Sequence, residues 1–395
     1  MNILFVSTLV SHKCINELFA SGYEPLQSIQ KFNSLLVQGF VSNGCQVKAL
    51  SSIPVTIKKG NKLRCKKNEK ENDVVFHYCP LVPIKGLDNF LVFVSSFYNT
   101  IKWVRKSPKE NSIIILDTLK LSLSAGSLLA SKIMNIKTVG IVTDIAGMKQ
   151  SAKPSLKERF ASFFINRIVS YYDSFIVLTE QMNEIINRKN KPSILMEGLV
   201  DKDMILKSKE NNDINGTKRV LYAGGLYSDY GLSSLIQGFM KLDAKDAELH
   251  LYGKGDMVEE IKSFAKIDKK IKYYGVTHND VVVKAELEAT LLVNPRPTKE
   301  EFTKYSFPSK NMEYMVSGTP VLTTALPGMP KEYHEYVYLI EDESAEGIHL
   351  KLKELLYNTS PNMLLDKGKR AKDFVLTKKN NIVQAQNIIE FIKTF

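Results

Sequence analysis

The sequence predicts two α/β domains in tandem, each a parallel sheet with helices packed on its faces. Three observations carry that expectation. Short β-branched runs alternate with segments of helical periodicity, which is the pattern of βαβ units. The alternation halts at a polar stretch between 199 and 218, containing KSKENNDINGTK, and then begins again. The length, 395 residues, suits two domains of ordinary size. Two doubly wound sheets in tandem leave a cleft between them, and ligands of such sheets sit outside the carboxyl ends of the strands.

Taken in order, Ile3–Val6 is an apolar run that reads as the first strand. The opening MNILFVST lacks a basic stretch ahead of a longer apolar segment, so a strand explains it better than a signal peptide. The segment from Thr8 to Gln30 is long for a βα connection and is expected to be a functional or mobile loop. From Gln30 onward Phe32, Leu35, Leu36 and Phe40 recur at helical spacing, and Asn43-Gly44 supplies a left-handed stop. Gln46–Leu50 alternates as a strand. Residues 58–73 are lysine-rich and polar, an expected exposed loop. Residues 89–105 (NFLVFVSSFYNTIKWVR) are very apolar and end in basic residues; they fit either a core helix or one dipping into a membrane interface. Ile113–Leu116 and Thr138–Val142 read as buried parallel strands, with a helix over Leu121–Met134 between them. A helix over Leu156–Tyr172 and a strand over Phe175–Leu178 close the first series.

The second series reads strand Arg219–Tyr222, helix Leu232–Leu242, strand Glu248–Tyr252 and helix Val258–Ala265. Strands Ile271–Tyr274 and Thr290–Asn294 follow, then helix Ser309–Val316 and strand Val321–Thr324. The implied domains are 1–199 and 200–380, with a last helix, Asn381–Thr394, in the remaining 381–395.

Composition excludes some function classes. No uncharged apolar run approaches the roughly 18–20 residues of a membrane-spanning helix. Cys14, Cys45, Cys65 and Cys79 include no Cys-x-x-Cys pair and no histidine at metal spacing, so they read as reduced thiols. The net charge of +12 is uneven. Residues 1–199 hold 26 Lys and Arg against 14 Asp and Glu, whereas the remainder holds 28 of each. The first half lacks the aromatic-basic interleaving of single-strand binders, which argues against nucleic acid. An anionic membrane or a phosphate-bearing acceptor suits the charge better; a merely solvated basic face is the plainer reading.

The most specific stretch is LLVNPRPTKEEFTKYSFPSKNMEYMVSGTPVLTT, from Leu291 to Thr324. A strand ends at Asn294, and Arg296 follows at its carboxyl edge. After a polar loop, Ser306-Phe307-Pro308-Ser309-Lys310 opens a helix, with proline expected in the first turn. Unpaired backbone N–H groups, the helix dipole and Lys310 together suit a diphosphate. Glu313, one turn on, is placed to accept two hydrogen bonds from a ribose diol, or only to favour the dipole. Asp144, just past Thr138–Val142, faces the predicted cleft; it is either a candidate catalytic carboxylate acting on a ligand there or the cap of a turn. Asp201-Lys202-Asp203 has an Asp-x-Asp spacing but lies at the linker, so no metal role is expected. His250 is expected to be packed, and His278 to start a helix.

These motifs resemble glycosyltransferase family 4, retaining enzymes of the GT-B fold, and more closely its bacterial capsule, O-antigen and exopolysaccharide subgroup. The pattern FPSK…EYM…G.PV at 306–321 is the strong element. The FVST start, VTDI at 142–145, LTEQMN at 178–183, MEGLVD at 196–201 and YAGGLY…YGL at 222–232 are individually weak but occur in the right order. The resemblance implies two Rossmann-like domains, the first binding the acceptor and the second the nucleotide-sugar. It implies that the last helix crosses back to the first domain. It further implies that Glu313 holds the ribose, that backbone from Ser306 to Ser309 holds the β-phosphate with Lys310 adding charge, and that Gly224-Gly225 approaches the donor phosphates. The Gly275-Val276 turn would flank the base.

Four positions depart from the family pattern. Tyr305 stands where many members carry a second glutamate. Gly225 and Tyr230 stand where they carry a phosphate-binding Arg and Lys, and Asp144 replaces a histidine beside the sugar. Arg296 and Lys310 are the substitutes expected for the lost phosphate charges, since a buried diphosphate needs cationic partners. The implied activity is transfer of a sugar from a UDP- or GDP-sugar, with no further cofactor or metal, to a lipid-linked saccharide at the cytoplasmic face of a membrane. A sugar-nucleotide epimerase of the same shape and a nucleotide-sugar-binding protein without turnover are the alternatives.

Overall fold

The structure is a computed structural model that describes residues 1–23, 27–55, 68–80, 84, 87–145, 167–204 and 216–395. It divides into two compact units, Met1–Leu199 with Asn381–Phe395, and Val200–Asn380.

The first unit is built on a sheet of eight strands: β1 (Asn2–Ser7), β2 (Gln46–Ser51), β3 (Glu69–Glu71), β4 (Val74–Tyr78), β5 (Ser112–Asp117), β6 (Thr138–Val142), β7 (Ser174–Val177) and β8 (Ser193–Leu195). Their order is β3-β4-β2-β1-β5-β6-β7-β8, parallel throughout except for β3 against β4. β1 pairs on one side with β2 and on the other with β5, and Ile3, Phe5, Ile113 and Ile115 are buried in one core cluster. The β3–β4 hairpin replaces the end of the expected 58–73 loop. Its turn residues Asn72 and Asp73 have φ of 47° and 61°, the left-handed pair that a tight hairpin requires and that Asn and Asp tolerate. Residues 56–67, Cys65 among them, lie outside the described residues. Cys14, Cys45 and Cys79 are buried thiols.

The long stretch after Thr8 is not simply a loop. It contains α1 (His12–Ala20), begun by Ser11, whose hydroxyl accepts the Cys14 N–H at 3.0 Å. α2 (Gln27–Ser42) buries Leu36, Val37 and Phe40. α3 (Leu87–Val104) packs on α4 (Leu121–Met134), where the Thr100 hydroxyl donates to Ser127 Oγ at 3.0 Å. The apolar 89–105 segment is thus a helix that puts one face into the core, with Val92, Trp103 and Val104, and leaves the other exposed. The expected helix over Leu156–Tyr172 falls mostly outside the described residues. α5 (Glu180–Ile186) is capped by Thr179.

The second unit has six parallel strands: β9 (Lys218–Gly225), β10 (Ala247–Lys254), β11 (Ile271–Gly275), β12 (Leu291–Asn294), β13 (Val321–Thr324) and β14 (Tyr338–Ile340). The order is β11-β10-β9-β12-β13-β14. From β9 the chain builds outward through β10 and β11, then restarts on the other side of β9 with β12. The sheet therefore reverses direction between β9 and β12, the position where open α/β sheets hold ligands at their carboxyl ends. Both faces are covered: Val220 and Tyr222 belong to one core cluster, Leu221 and Ala223 to another. The helices are α6 (Leu232–Met240), α7 (Val258–Ile267), α8 (Asn279–Glu288), α9 (Ser309–Ser317), α10 (Ala345–Lys353) and α11 (Pro361–Lys378). α12 (Asn381–Ile392) belongs to the first unit, where the Asn43 amide donates to the Ile382 carbonyl at 2.9 Å. No helix among the described residues is long and apolar enough to cross a membrane.

Candidate functional site

The site is built where β9 ends. β9 runs through Gly224 and Gly225, so the glycine pair closes the strand instead of forming the turn after it. Two side chains of α9, one helical turn apart, grip the residue before the pair. The Ala223 N–H donates to the Tyr314 hydroxyl at 2.8 Å, and the Ala223 carbonyl accepts from that hydroxyl at 3.2 Å and from Lys310 Nζ. The lysine stem lies across Gly224: a Cβ there would sit 2.1 Å from Lys310 Cε and Nζ. Glycine at 224 is the condition for this route of the lysine.

The next strand contributes a second cation. Arg296 follows β12, and its guanidinium lies 4.3 Å from the Tyr230 ring centroid and 5.5 Å from that of Phe302. Its Nε is buried without a hydrogen-bond partner. Gly231, with φ of 76°, begins α6 beside it; a Cβ there would meet the Pro295 carbonyl oxygen at 2.0 Å, so this close approach also requires glycine. Burial pushes the Lys310 ammonium below the ordinary lysine range; Glu313 and Glu286 oppose that shift, and the like charge of Arg296 adds to it. Two cations at the carboxyl ends of adjacent strands raise each other's electrostatic cost, which an anionic ligand would relieve.

The chain enters α9 through residues fixed by backbone contacts. The Tyr305 N–H donates to the Phe302 carbonyl at 3.1 Å, and the Ser306 hydroxyl donates to the same oxygen at 3.2 Å. Pro308 stands just outside α9 rather than in its first turn: its ψ of 85° is not helical, and no side chain caps the helix there. Buried Phe307, 5.1 Å from the Tyr333 ring, anchors the segment. Ser309 is exposed at the first turn, and Glu313 is exposed one turn beyond Lys310.

Gly224, Gly225, Arg296 and Lys310 are thus brought to one place, with Tyr305, Ser306, Ser309 and Glu313 on the segment that enters and forms α9. Val276 is not: it is exposed after Gly275 at the end of β11, two strands from β9, about 10 Å at the usual strand spacing. Asp144 is exposed two positions past β6, in the first unit. The Asp201 carboxylate accepts the Asp203 N–H at 3.0 Å. His250 is buried, with Nε2 2.8 Å from Glu248 Oε2, and His278 stands just before α8.

Sequence reasoning missed Tyr314, Tyr230 in its role beneath Arg296, and Phe302. It also missed the buried amide chain in which Asn294 Nδ2 donates to Asn311 Oδ1 at 2.8 Å and Asn311 Nδ2 to Thr323 Oγ1 at 3.2 Å, tying α9 to β12 and β13. Polar Asn311 inside an otherwise apolar helix face was the signal available.

Residues 217–358 match the family described as Glycosyl transferases group 1. No curated protein sequence matches the chain. Among solved structures, the lipopolysaccharide outer core galactosyltransferase WaaB is 14% identical, with a TM-score of 0.61 over all of this chain and 99% of WaaB. Anabaena HepE, solved in complex with UDP-glucose, is 12% identical with a TM-score of 0.61 over the whole of both chains. TarM of S. aureus is 15% identical with a TM-score of 0.56, over 75% of this chain; the chain spans only 58% of TarM. The fold is that of GT-B glycosyltransferases, two mostly parallel sheets with helices, and the second unit carries a glycosyltransferase domain.

Proposed function

We propose that this chain transfers a glycosyl group, with retention, from a UDP- or GDP-sugar to a lipid-linked saccharide in the building of a bacterial surface polysaccharide. The observation that carries the reading is the pair Lys310 and Arg296 at the carboxyl ends of β9 and β12, with Lys310 laid over Gly224. In this reading both cations face the diphosphate, the first turn of α9 adds backbone N–H groups, and Glu313 accepts the ribose hydroxyls. Charge developing on the leaving nucleoside diphosphate is stabilised by groups already in place, which is the largest catalytic contribution such a site offers. They occupy the role that Gly225 and Tyr230 leave open. Val276 supplies backbone to the base, and Asp144 contacts the transferred sugar. The relative solved with UDP-glucose favours UDP as the nucleotide.

The acceptor binds the basic first unit, and the chain works at the cytoplasmic face of a membrane without spanning it. The test is a transfer assay with UDP- and GDP-sugars and lipid-linked saccharides, following nucleoside diphosphate release and the anomeric configuration of the product. Product with the donor's configuration supports the proposal. Tight nucleotide binding with no product on any acceptor favours the binding protein without turnover, and interconversion of the donor sugar favours an epimerase.

A further inference from the structure

α3 buries Val92, Ser96, Thr100, Trp103 and Val104, yet its opposite face is not polar. Leu87, Phe90, Val94 and Tyr98 are exposed by 41%, 61%, 43% and 62% of their surface. At about 100° per residue these four, with Lys102 and Arg105, fall within roughly 120° of one another around the helix axis. The exposed face is therefore apolar over its first three turns and cationic at its C-terminal end. Single exposed apolar residues are ordinary on a soluble protein, whereas a line of them on successive turns is the pattern that marks interaction sites.

The cationic end is a cluster. Burial depresses the Lys48 ammonium below its ordinary range, and Lys102 and then Lys106 depress it further. Burial also lowers His77, with Lys48 and then Lys102 adding to the shift. Lys48 thus feels the charges of Lys102 and Lys106, and among the described residues no ion pair holds Lys102, Arg105 or Lys106. An adjoining line of apolar side chains and an uncompensated cationic cluster on one helix match the two layers of an anionic bilayer surface, acyl boundary and headgroups.

We propose that the exposed face of α3, with the cationic cluster at its C-terminal end, docks this chain onto an anionic lipid bilayer. The proposal rests on the lipid-linked acceptor inferred above and names the surface that would bring the first unit to it. A second copy of the chain would carry the same cations, whereas an anionic bilayer offsets them.

The test is co-sedimentation with vesicles of phosphatidylcholine alone and with about one third phosphatidylglycerol, at low and at 1 M salt. Each Lys or Arg near such a surface is worth about fivefold in partition. The triple variant Lys102→Glu, Arg105→Glu, Lys106→Glu should lose at least about 100-fold on anionic vesicles. Phe90→Glu with Tyr98→Glu should lose at least about tenfold, because these side chains no longer enter the acyl boundary. A charge-matched control, Lys245→Glu, Lys266→Glu, Lys269→Glu in the second unit, should bind like wild type. Equal losses in the control would overturn the assignment of this surface while leaving membrane binding in place. Wild type that ignores anionic vesicles at low salt would overturn membrane docking altogether. Loss of a dimer in the α3 variants with vesicle binding unchanged would assign the face to a second copy and overturn the proposal. UDP-induced thermal shifts measured on every variant separate these outcomes from failure of the donor site.

Discussion

Replacing Lys310 with methionine removes the ammonium while keeping an unbranched side chain that still fits across Gly224. The structure sets opposite signs for its two effects. Lys310 is a desolvated cation whose ammonium bonds to the Ala223 carbonyl, and that carbonyl keeps the Tyr314 hydroxyl when the lysine is gone. Folding stability is therefore expected to hold or to rise by about 1 kcal/mol, roughly 2–4 °C in Tm. Donor affinity is expected to fall, because a charge-assisted hydrogen bond to phosphate is worth about 1.5–3 kcal/mol, or roughly 10- to 150-fold in Kd. pH supplies an independent check. The folded-state pKa of Lys310 lies below its unfolded value near 10.5, so in the alkaline window between them the unfolded chain binds more protons. The lysine's destabilising contribution is then complete below the folded pKa and relieved as pH rises toward the unfolded one, a gain that Lys310→Met must lack. Nucleotide affinity should weaken over the same rise in wild type, as the ammonium loses its proton. Calorimetric titration with UDP at pH 7 and pH 9.5, with thermal melts of both proteins, measures all three effects. A variant that binds UDP as wild type does, or that loses several degrees of Tm, would refute the assignment of Lys310 as a phosphate cation held at a cost to stability.

Three further outcomes are expected. Glu313→Ala should weaken UDP by about 10- to 100-fold with at most a small fall in the unliganded Tm, since the side chain is exposed and its attraction for the Lys310 ammonium is screened; equal weakening for inorganic pyrophosphate would show that it does not read the ribose. Gly224→Ala should force Lys310 off the Ala223 carbonyl and weaken UDP comparably, and combining it with Lys310→Met should add little, a non-additivity that a double-mutant cycle reads directly. Tyr314→Phe removes the acceptor of the buried Ala223 N–H and should cost about 1–3 kcal/mol by urea denaturation; an unchanged midpoint would contradict the clamp between α9 and β9.

The strands were legible because parallel strands covered on both faces are continuous β-branched runs, as in Ile113–Leu116 and Thr138–Val142. Their lengths were less so: β9 runs on into Gly224-Gly225, which in sequence reads as a turn. α1 was hidden in the apparent loop after Thr8, although Ser11 with Cys14 at the capping distance was its only local sign. The Glu69–Tyr78 hairpin was masked by its charge, since Glu-Lys-Glu gives no apolar alternation and the strand is held by pairing with Val74–Phe76. At the site, Lys310 and Arg296 were found from their places at a helix start and a strand end. What holds them was not, because the contacts of Lys310 with Gly224 and of Arg296 with Tyr230 join residues more than sixty positions apart. Tyr314 in the run MEYM carries no mark separating it from ordinary core.

The most direct test of the central claim is a thermal-shift panel of UDP, GDP, ADP and their sugars on wild type and Glu313→Ala. A ligand at about 100 times its Kd adds roughly 2.7 kcal/mol, a rise of several degrees. Such a rise is expected with UDP or GDP and their sugars in wild type, diminished in Glu313→Ala. No rise with any nucleotide would contradict a donor site at the ends of β9 and β12.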